Sequence, residues 1–329
     1  ILVFDADPNT MKLALTSGVA SETTGSVNEA FAQCDCVFLC APVSNNAHNL
    51  SLLKEFTPDT CLITDVGSVK THIHKQVEEL QLEDRFIGGH PMAGSERVGF
   101  INSKSLLLQN AYYILTPCSG VPKETVSAFH DLIEAIGSVP LLMDYRKHDF
   151  ITGAVSHLPH VVSASLVNLI KAEDTPDELM KTIAAGGFKD ITRISSSSPV
   201  MWQQICLTNR ENISLLLEDY IAALQNIKKL IDNSTAQGIF DFFKEARDYR
   251  DSFVNASSGP IKKTYAIHVE IADQPGALAS VAMLLARNSI SIKNIGITHN
   301  RERTDGALRI EVYQEESLKQ AEELLQENG

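Results

Sequence analysis

Short apolar runs punctuate the first 145 residues and alternate with longer stretches of helical period. The runs are Ile1–Phe4, Cys36–Cys40, Cys61–Thr64, Phe86–Ile87, Tyr112–Leu115 and Val139–Met143. Near-continuous apolar strands separated by helices predict a parallel sheet covered on both faces. The first helix is clearly punctuated. Asp7 is placed to cap it, Pro8 suits its first turn, and Gly18 follows its end. The chain opens inside a strand, at Ile1-Leu2-Val3-Phe4-Asp5, with no initiator methionine, so it is expected to be a piece of a longer polypeptide.

From about Tyr145 to Phe253 the pattern is helical throughout. Ile213, Leu217, Tyr220, Leu224, Ile227 and Ile231 form one apolar stripe on a long helix, to be buried either in the chain's own core or in a dimer interface. Asn255-Ala256-Ser257-Ser258-Gly259-Pro260 reads as a linker. Beyond it, Tyr265, Ile267, Val269 and Ile271 alternate with Ala266, His268 and Glu270, as in a half-buried strand. Asp273-Gln274-Pro275-Gly276 turns into a helix through about Arg287. Strands follow at Ile290–Ile297 and Ala307–Tyr313, joined by a loop at Arg301–Gly306, and Ser317–Gln326 is helical. The order β-α-β-β-α is one strand short of a ferredoxin-like unit.

A chain of 329 residues, 44% of them hydrophobic, has material for two or three globular cores. Its net charge of −13 argues against a nucleic acid or an anionic membrane surface as partner. An anionic small substrate needs only a local cluster of cations. The six cysteines, Cys34, Cys36, Cys40, Cys61, Cys118 and Cys206, include no CxxC, and three crowd a single strand. They are expected to be reduced, buried thiols of a cytosolic protein. No signal peptide and no apolar run long enough to span a membrane are apparent.

Several segments carry residue types suited to chemistry. Asp5 ends the first strand, where an acid either binds the adenosine ribose hydroxyls of a dinucleotide, favouring NAD over NADP, or simply serves a helix cap or loop. On the first of these readings a glycine-rich pyrophosphate loop lies upstream of Ile1. Thr64-Asp65-Val66-Gly67-Ser68-Val69-Lys70 leads from a strand into a helix, so Ser68 either donates to a ligand or caps that helix. In Gly88-Gly89-His90-Pro91-Met92-Ala93-Gly94-Ser95-Glu96, small residues allow close backbone approach to a ligand, and His90 at a strand end is placed for acid–base work. Ser156 and His160, four apart, share a face if their run is helical. Neither the pair His157 and His160 nor the pair His72 and His74 has a third ligand at motif spacing, so no metal is expected. Beside Gly186-Gly187, Arg193 is either a surface cation or a bidentate holder of a carboxylate.

Taken together, these strings resemble the prephenate and arogenate dehydrogenase family. The matching segments are Asp65-Val66-Gly67-Ser68-Val69-Lys70, Gly89-His90-Pro91-Met92-Ala93-Gly94-Ser95-Glu96, His148-Asp149, Ser156-His157-Leu158-Pro159-His160, and Gly187-Phe188-Lys189-Asp190-Ile191-Thr192-Arg193 with Trp202 nine residues later. Each is weak alone, but five in order over residues 1 to 255 are specific. The tail, with Asp273-Gln274-Pro275-Gly276-Ala277-Leu278 and Asn294-Ile295-Gly296, resembles an ACT domain, a module that binds amino acids between paired copies.

The resemblance implies a three-part α/β chain. Residues 1–145 would be a Rossmann-like dinucleotide-binding domain without its first strand and glycine loop. Residues 146–255 would be an all-α substrate and dimerisation domain, and residues 264–329 an α+β ferredoxin-like ACT domain without its last strand. It implies oxidative decarboxylation of prephenate. Hydride leaves the carbinol carbon for NAD⁺, the ring carboxylate leaves as CO₂, and 4-hydroxyphenylpyruvate forms. His90 accepts from the substrate hydroxyl, and Ser68 orients that hydroxyl, His90 or the nicotinamide ribose. Arg193 anchors a substrate carboxylate with Asp149 as its ionic partner. Ser156, His157 and His160 line the pocket with Ser95. Glu96 gates access or pairs with a cation, and Trp202 packs at the wall. Asp5, Ala41, Pro42, Val43, Asp65 and Gly67 are expected at the cofactor. Asp273, Gln274, Pro275, Gly276, Ala277, Leu278 and Asn294 are expected at an effector site for tyrosine in a homodimer. Arogenate dehydrogenase is the same chemistry on the transaminated substrate. A general β-hydroxyacid dehydrogenase lacks support because no catalytic lysine motif is apparent. A non-catalytic amino-acid sensor is disfavoured by the presence of His90, Ser68 and Arg193.

Overall fold

In the computed structural model, which describes residues 1–94, 99–255, 265–272, 274–299 and 305–327, strands β1 (Leu2–Val3) and β2 (Glu22–Thr23) pair in parallel. Strands β3 (Cys36–Leu39), β4 (Leu62–Asp65), β5 (Phe86–Pro91), β6 (Tyr112–Pro117) and β7 (Val139–Leu142) form a five-stranded sheet in that spatial order. Helices α1 (Pro8–Thr16), α2 (Val43–Phe56), α3 (Thr71–Glu79) and α4 (Lys123–Ala135) intervene. Strand alternation sorts the apolar side chains between two layers. Val37, Leu39, Ile63 and Phe86 pack with Leu50 and Leu53 of α2 and Ile73 and Val77 of α3. Leu62, Ile87, Tyr113 and Leu115 pack with Phe129 and Ile133 of α4. Both faces are therefore covered, as the apolar runs predict.

One pairing departs from the expected parallel sheet, because β5 and β6 run antiparallel. A parallel return needs a crossover, usually a helix. Between Pro91 and Tyr112 the described chain makes only the 3₁₀ turns Phe100–Asn102 and Ser105–Leu107. Where α4 does cross between β6 and β7, the pairing is parallel again.

Asp7 caps α1 as expected, accepting from Asn9 N at 3.0 Å, with Pro8 in the first turn and Gly18 beyond the end at φ +72°. Ser68 does not cap α3. That helix starts only at Thr71, and its first amides are satisfied from far along the chain. Asp149 accepts from Lys70 N and Thr71 N, both at 2.7 Å.

Helices α5 (Tyr145–Thr152), α6 (Leu158–Glu173), α7 (Leu179–Ile183), α8 (Gly186–Thr192), α9 (Pro199–Thr208) and α10 (Arg210–Asp232) complete the unit Ile1–Asn233. A π-helical turn, Gly153–His157, joins α5 to α6. The resulting continuous helix Tyr145–Glu173, mean hydropathy 1.3, is long and apolar enough to cross a membrane, contrary to the expectation from sequence. Its fully buried side chains are polar and include His148, Asp149, Thr152, His157 and Ser163, which find partners inside the protein, while Phe150, Val155 and Leu169 stay exposed. Val69 packs with Ile205 and Ile213, joining the β4–α3 loop to α9 and α10. Along the α10 stripe only Ile213 is buried. Leu224 and Ile231 stay 47% and 59% exposed, so the stripe is not consumed by the chain's own core.

The second compact unit, Ser234–Gly329, contains α11 (Ala236–Asn255), β8 (Tyr265–Ala272), α12 (Ala277–Arg287), β9 (Ile292–His299), β10 (Asp305–Val312) and α13 (Glu315–Glu327). The strands form an antiparallel sheet in the order β8-β10-β9. Leu308, Ile310 and Val312 of its central strand pack with Leu285 of α12 and Ala321 of α13. The expected linker, apart from Asn255, and most of the Arg301–Gly306 loop lie outside the described residues. The six cysteines are unpaired as expected, but only Cys61 is buried, and Cys40 is exposed.

Beneath the site, Lys70 is fully buried. It pairs with the equally buried Asp65 and donates to Gly89 O at 2.6 Å. This arrangement explains two glycines. A Cβ on Gly88 would strike Thr116 Oγ1, and one on Gly89 would lie 2.5 Å from Asp65 O and 2.9 Å from Tyr113 Cε1. They make room for the buried pair and its surroundings rather than for a ligand. Gly89→Ala is therefore expected to overpack the strand and destabilise the protein by about 1–3 kcal/mol. Calorimetric unfolding of the full chain measures this, and an unchanged midpoint would show that the strand yields at no cost.

Candidate active site

His90 lies on β5, 9% exposed, with a neighbour on its inner side. Its Nδ1 is 2.8 Å from His148 Nε2, and His148 Nδ1 is in turn 2.8 Å from Asp149 Oδ1. Asp149 completes the series by accepting the two α3 amides. Three buried side chains from a strand and a helix thus stand in line, ending on a helix N-terminus, which favours a negative charge.

Burial holds His90 well below its ordinary pKa of 6.5, and His148, Lys70 and His157 push in the same direction. His90 is therefore neutral near pH 7 and able to accept a proton. His157, fully buried, is lowered to about 4, chiefly by burial, with Asp149 opposing. Burial alone would raise Asp149, but hydrogen bonds from His148, Thr71 and Lys70 outweigh it and keep the group ionised. Lys70 is lowered by burial, against the pull of Asp65.

The helical region supplies the wall. Trp202 of α9 stacks on His160, ring centroids 3.8 Å apart, and meets His157 edge-on at 6.0 Å, all within one chain. Its Nε1 is buried and has no partner among the described residues. Asn209, at the start of α10, donates to Asp149 O at 2.8 Å and lies 3.0 Å from His157 Nδ1. Ser156 is half-buried in the π turn. Arg193 opens a 3₁₀ turn, Arg193–Ser196, packed against α6.

Several expectations change. Asp149 does not serve Arg193. Among the described ion pairs its partner is His148, and its oxygens are taken up by that imidazole and two amides. Asp65 does not face a ligand either. It is 1% exposed and accepts from Lys70, Gly67 N at 2.9 Å and Gly89 N at 3.2 Å, so it shapes the loop carrying Ser68. Gly67, half-buried, contributes that amide. Ser68 is half-buried, and its hydroxyl has no partner among the described residues. Sequence reasoning gave no role to His148 or Asn209. His148 stands in the His148-Asp149 string with no glycine-rich setting to mark it.

Asp5 follows β1 and accepts from Asp7 N through Oδ1 at 2.8 Å, leaving Oδ2 for another donor. Ala41 and Pro42 lead from β3 into α2, whose N-terminus has no side-chain cap. Val43 begins that helix, and its side chain is outside the described set, as are Ser95, Glu96 and Asp273 as whole residues. In the second unit, Gln274, Pro275 and Gly276 form a turn, with Gly276 at φ +94°. Ala277 and Leu278 open α12, and Asn294 is exposed on β9.

Comparison with known proteins agrees with this arrangement. Residues 1–142 match the family described as prephenate dehydrogenase, nucleotide-binding domain, and residues 144–245 match prephenate dehydrogenase, dimerization domain. Residues 267–327 match an AHAS small subunit-like ACT domain. A prephenate dehydrogenase of Bacillus subtilis is 34% identical over 99% of this chain and 88% of its own length. The Aquifex aeolicus prephenate dehydrogenase, solved in complex with hydroxyphenyl propionate and NAD⁺, superposes with a TM-score of 0.73 at 33% identity, over 77% of this chain and 88% of that one. A Synechocystis arogenate dehydrogenase gives a TM-score of 0.69 at 27% identity, covering 77% and 90%. With its Rossmann-like, helical and ACT-like parts in this order, the chain belongs to the prephenate dehydrogenase family.

Proposed function

We propose that this chain catalyses the NAD-dependent oxidative decarboxylation of prephenate to 4-hydroxyphenylpyruvate in tyrosine biosynthesis. The observation that carries the reading is the buried, neutral His90 at a strand end, in a chain of this family. The substrate loses hydride from a carbinol carbon and CO₂ from the ring, and aromatisation drives both. His90 accepts a hydrogen bond from the carbinol hydroxyl and draws its proton as positive charge develops at that carbon. Ser68, whose hydroxyl has no described partner, orients the hydroxyl or His90. Arg193 holds a substrate carboxylate through its planar fork. His157, His160, Ser156 and Trp202 form the wall, which positions the ring and excludes water.

The cofactor reading rests on Asp5. Its second oxygen is available for the ribose hydroxyls, and its charge would repel a 2′-phosphate, which favours NAD over NADP. When bound, NAD⁺ supplies the hydride acceptor. Relatives of the B. subtilis and A. aeolicus kind support prephenate, and the Synechocystis likeness keeps arogenate as the second reading. Comparative turnover of the two substrates separates them.

A homodimer is the assembly we propose. The matched dimerization region and the open α10 stripe support it. The ACT-like tail supports regulation, with tyrosine as effector at the 273–278 turn and Asn294. The acidic surface and six unpaired thiols fit a cytoplasmic enzyme without nucleic-acid or membrane partners.

His90→Asn is expected to lower kcat by roughly 10²–10⁴-fold with a smaller effect on KM. In the unaltered enzyme the acid limb of kcat/KM should lie below pH 6.5, since His90 stays neutral until the pH falls to its depressed pKa. Near-native kcat in the variant would remove His90 from the chemistry. Arg193→Ala is expected to raise KM for prephenate about ten- to a hundredfold, the worth of one charge-assisted hydrogen bond. An unchanged KM would make Arg193 a surface cation. Tyrosine should weaken prephenate binding, and prephenate should weaken tyrosine binding by the same factor. Removing the chain after Ser258 should abolish inhibition and spare turnover. If the shortened enzyme is active and fully tyrosine-sensitive, the tail is not the sensor.

A further inference from the structure

We propose that His148 is a positioning residue for this reaction: by accepting from His90 Nδ1–H it forces the proton-free nitrogen of His90, Nε2, toward the substrate, and Asp149 holds His148 in the required state. The inference rests on the reading of His90 as the proton acceptor.

Asp149 sets the direction of each hydrogen bond in the series. Its carboxylate accepts Lys70 N and Thr71 N at the start of α3, so it is an acceptor only, and the group 2.8 Å away on His148 Nδ1 must donate to it. The two amides and the helix N-terminus already compensate its charge, and in the proposed state His148 carries a single ring proton, on Nδ1. With its one proton on Nδ1, His148 presents a bare Nε2 to His90. At 2.8 Å, His90 Nδ1 must then be the donor. Its Nε2 is left with a lone pair.

This matters because a neutral imidazole left to itself carries its proton mainly on Nε2. In that form His90 would offer the substrate hydroxyl a donor where an acceptor is needed. The dyad removes the choice. It also gives the proton-bearing His90 an acceptor behind it as the hydroxyl proton arrives, in a site where His148 is wholly excluded from water. Neither effect needs contact between His148 and substrate.

The test uses the full chain labelled with ¹⁵N-histidine, with the His90 signals identified by their loss in His90→Asn. Near neutral pH, His90 should show a protonated Nδ1 and a pyridine-type Nε2, and His148→Phe should reverse the two. A protonated Nε2 on His90 in the unaltered enzyme would overturn the proposal, whatever the fate of the His148 variants. In kinetics, His148→Phe should lose roughly 10²–10⁴-fold in kcat, the range for disturbing a general base, with KM little changed. His148→Gln, whose amide oxygen accepts from His90 Nδ1–H, should regain at least tenfold. A rise in KM at unchanged kcat would assign His148 to packing alone and overturn the proposal. The underlying reading fails separately, if His90→Asn keeps its kcat while the predicted tautomer is nonetheless observed.

Discussion

The carboxylate of Asp149 joins the two halves of the catalytic unit. It sits on α5, yet it satisfies the opening amides of α3, a helix of the sheet domain, with both bonds at 2.7 Å. Its own carbonyl accepts from Asn209, which also reaches His157. A single residue therefore links the helical wall to the central strand's end that carries His90. An N-terminal helix end offers several unsatisfied N–H groups and a partial positive charge. Supplying the cap from 78 residues away makes a local need serve a long-range contact.

Beneath that junction lies a costlier device. Lys70 and Asp65 are buried together, and buried ion pairs commonly gain little over an apolar pair of the same shape. Here the pair is fully engaged: Lys70 also reaches Gly89 O, and Asp65 also receives the amides of Gly67 and Gly89. The result is a rigid turn between β4 and α3 that holds Ser68 at the site. The ammonium has an electrical effect as well. It adds to burial in keeping His90 neutral, and His74 is lowered to about 4 for the same two reasons, burial first. A general base that must be unprotonated at neutral pH benefits from a fixed positive charge nearby.

Much of this fold is legible in the amino-acid order, because period-2 and period-3.6 patterns report burial directly. The runs at Cys36–Cys40, Cys61–Thr64 and Tyr112–Leu115 became strands nearly where expected, and Asp7 and Pro8 opened α1 as their chemistry requires. The tail read as β-α-β-β-α and folds so. The features that escaped depend on partners distant in sequence. The reversal of β6 follows a connection whose described residues form only 3₁₀ turns, which no strand pattern reports. From sequence, Asp65 is expected at the cofactor and Asp149 beside Arg193, because a carboxylate near a motif is the same letter whether it meets a ligand, a cation, a buried lysine or the amides of a helix end. Gly88 and Gly89 looked like room for a substrate, and they are room for Thr116, Lys70 and Tyr113. His90 stood out for its glycine-rich setting. His148, its buried neighbour from 58 residues away, had no such setting.

The π turn at Gly153–His157 shows how a small irregularity completes the site. In a regular α-helix, residues 149 and 157 would point about 80° apart around the axis, since each residue advances the chain by about 100°. A π turn accommodates an extra residue per turn and rotates the residues after it backward relative to those before it. Across this turn the one amide of Asn209 reaches both the Asp149 backbone carbonyl and His157 Nδ1. Gly153 begins the turn with no side chain. A Cβ there would lie 3.1 Å from Leu216 Cδ1 and 3.4 Å from Asn209 Nδ2, so the glycine lets α10 approach closely enough for Asn209 to form its bridge. The irregular backbone, the glycine and the asparagine form one arrangement, and its product is a link from α10 to both the Asp149 backbone and the imidazole of His157.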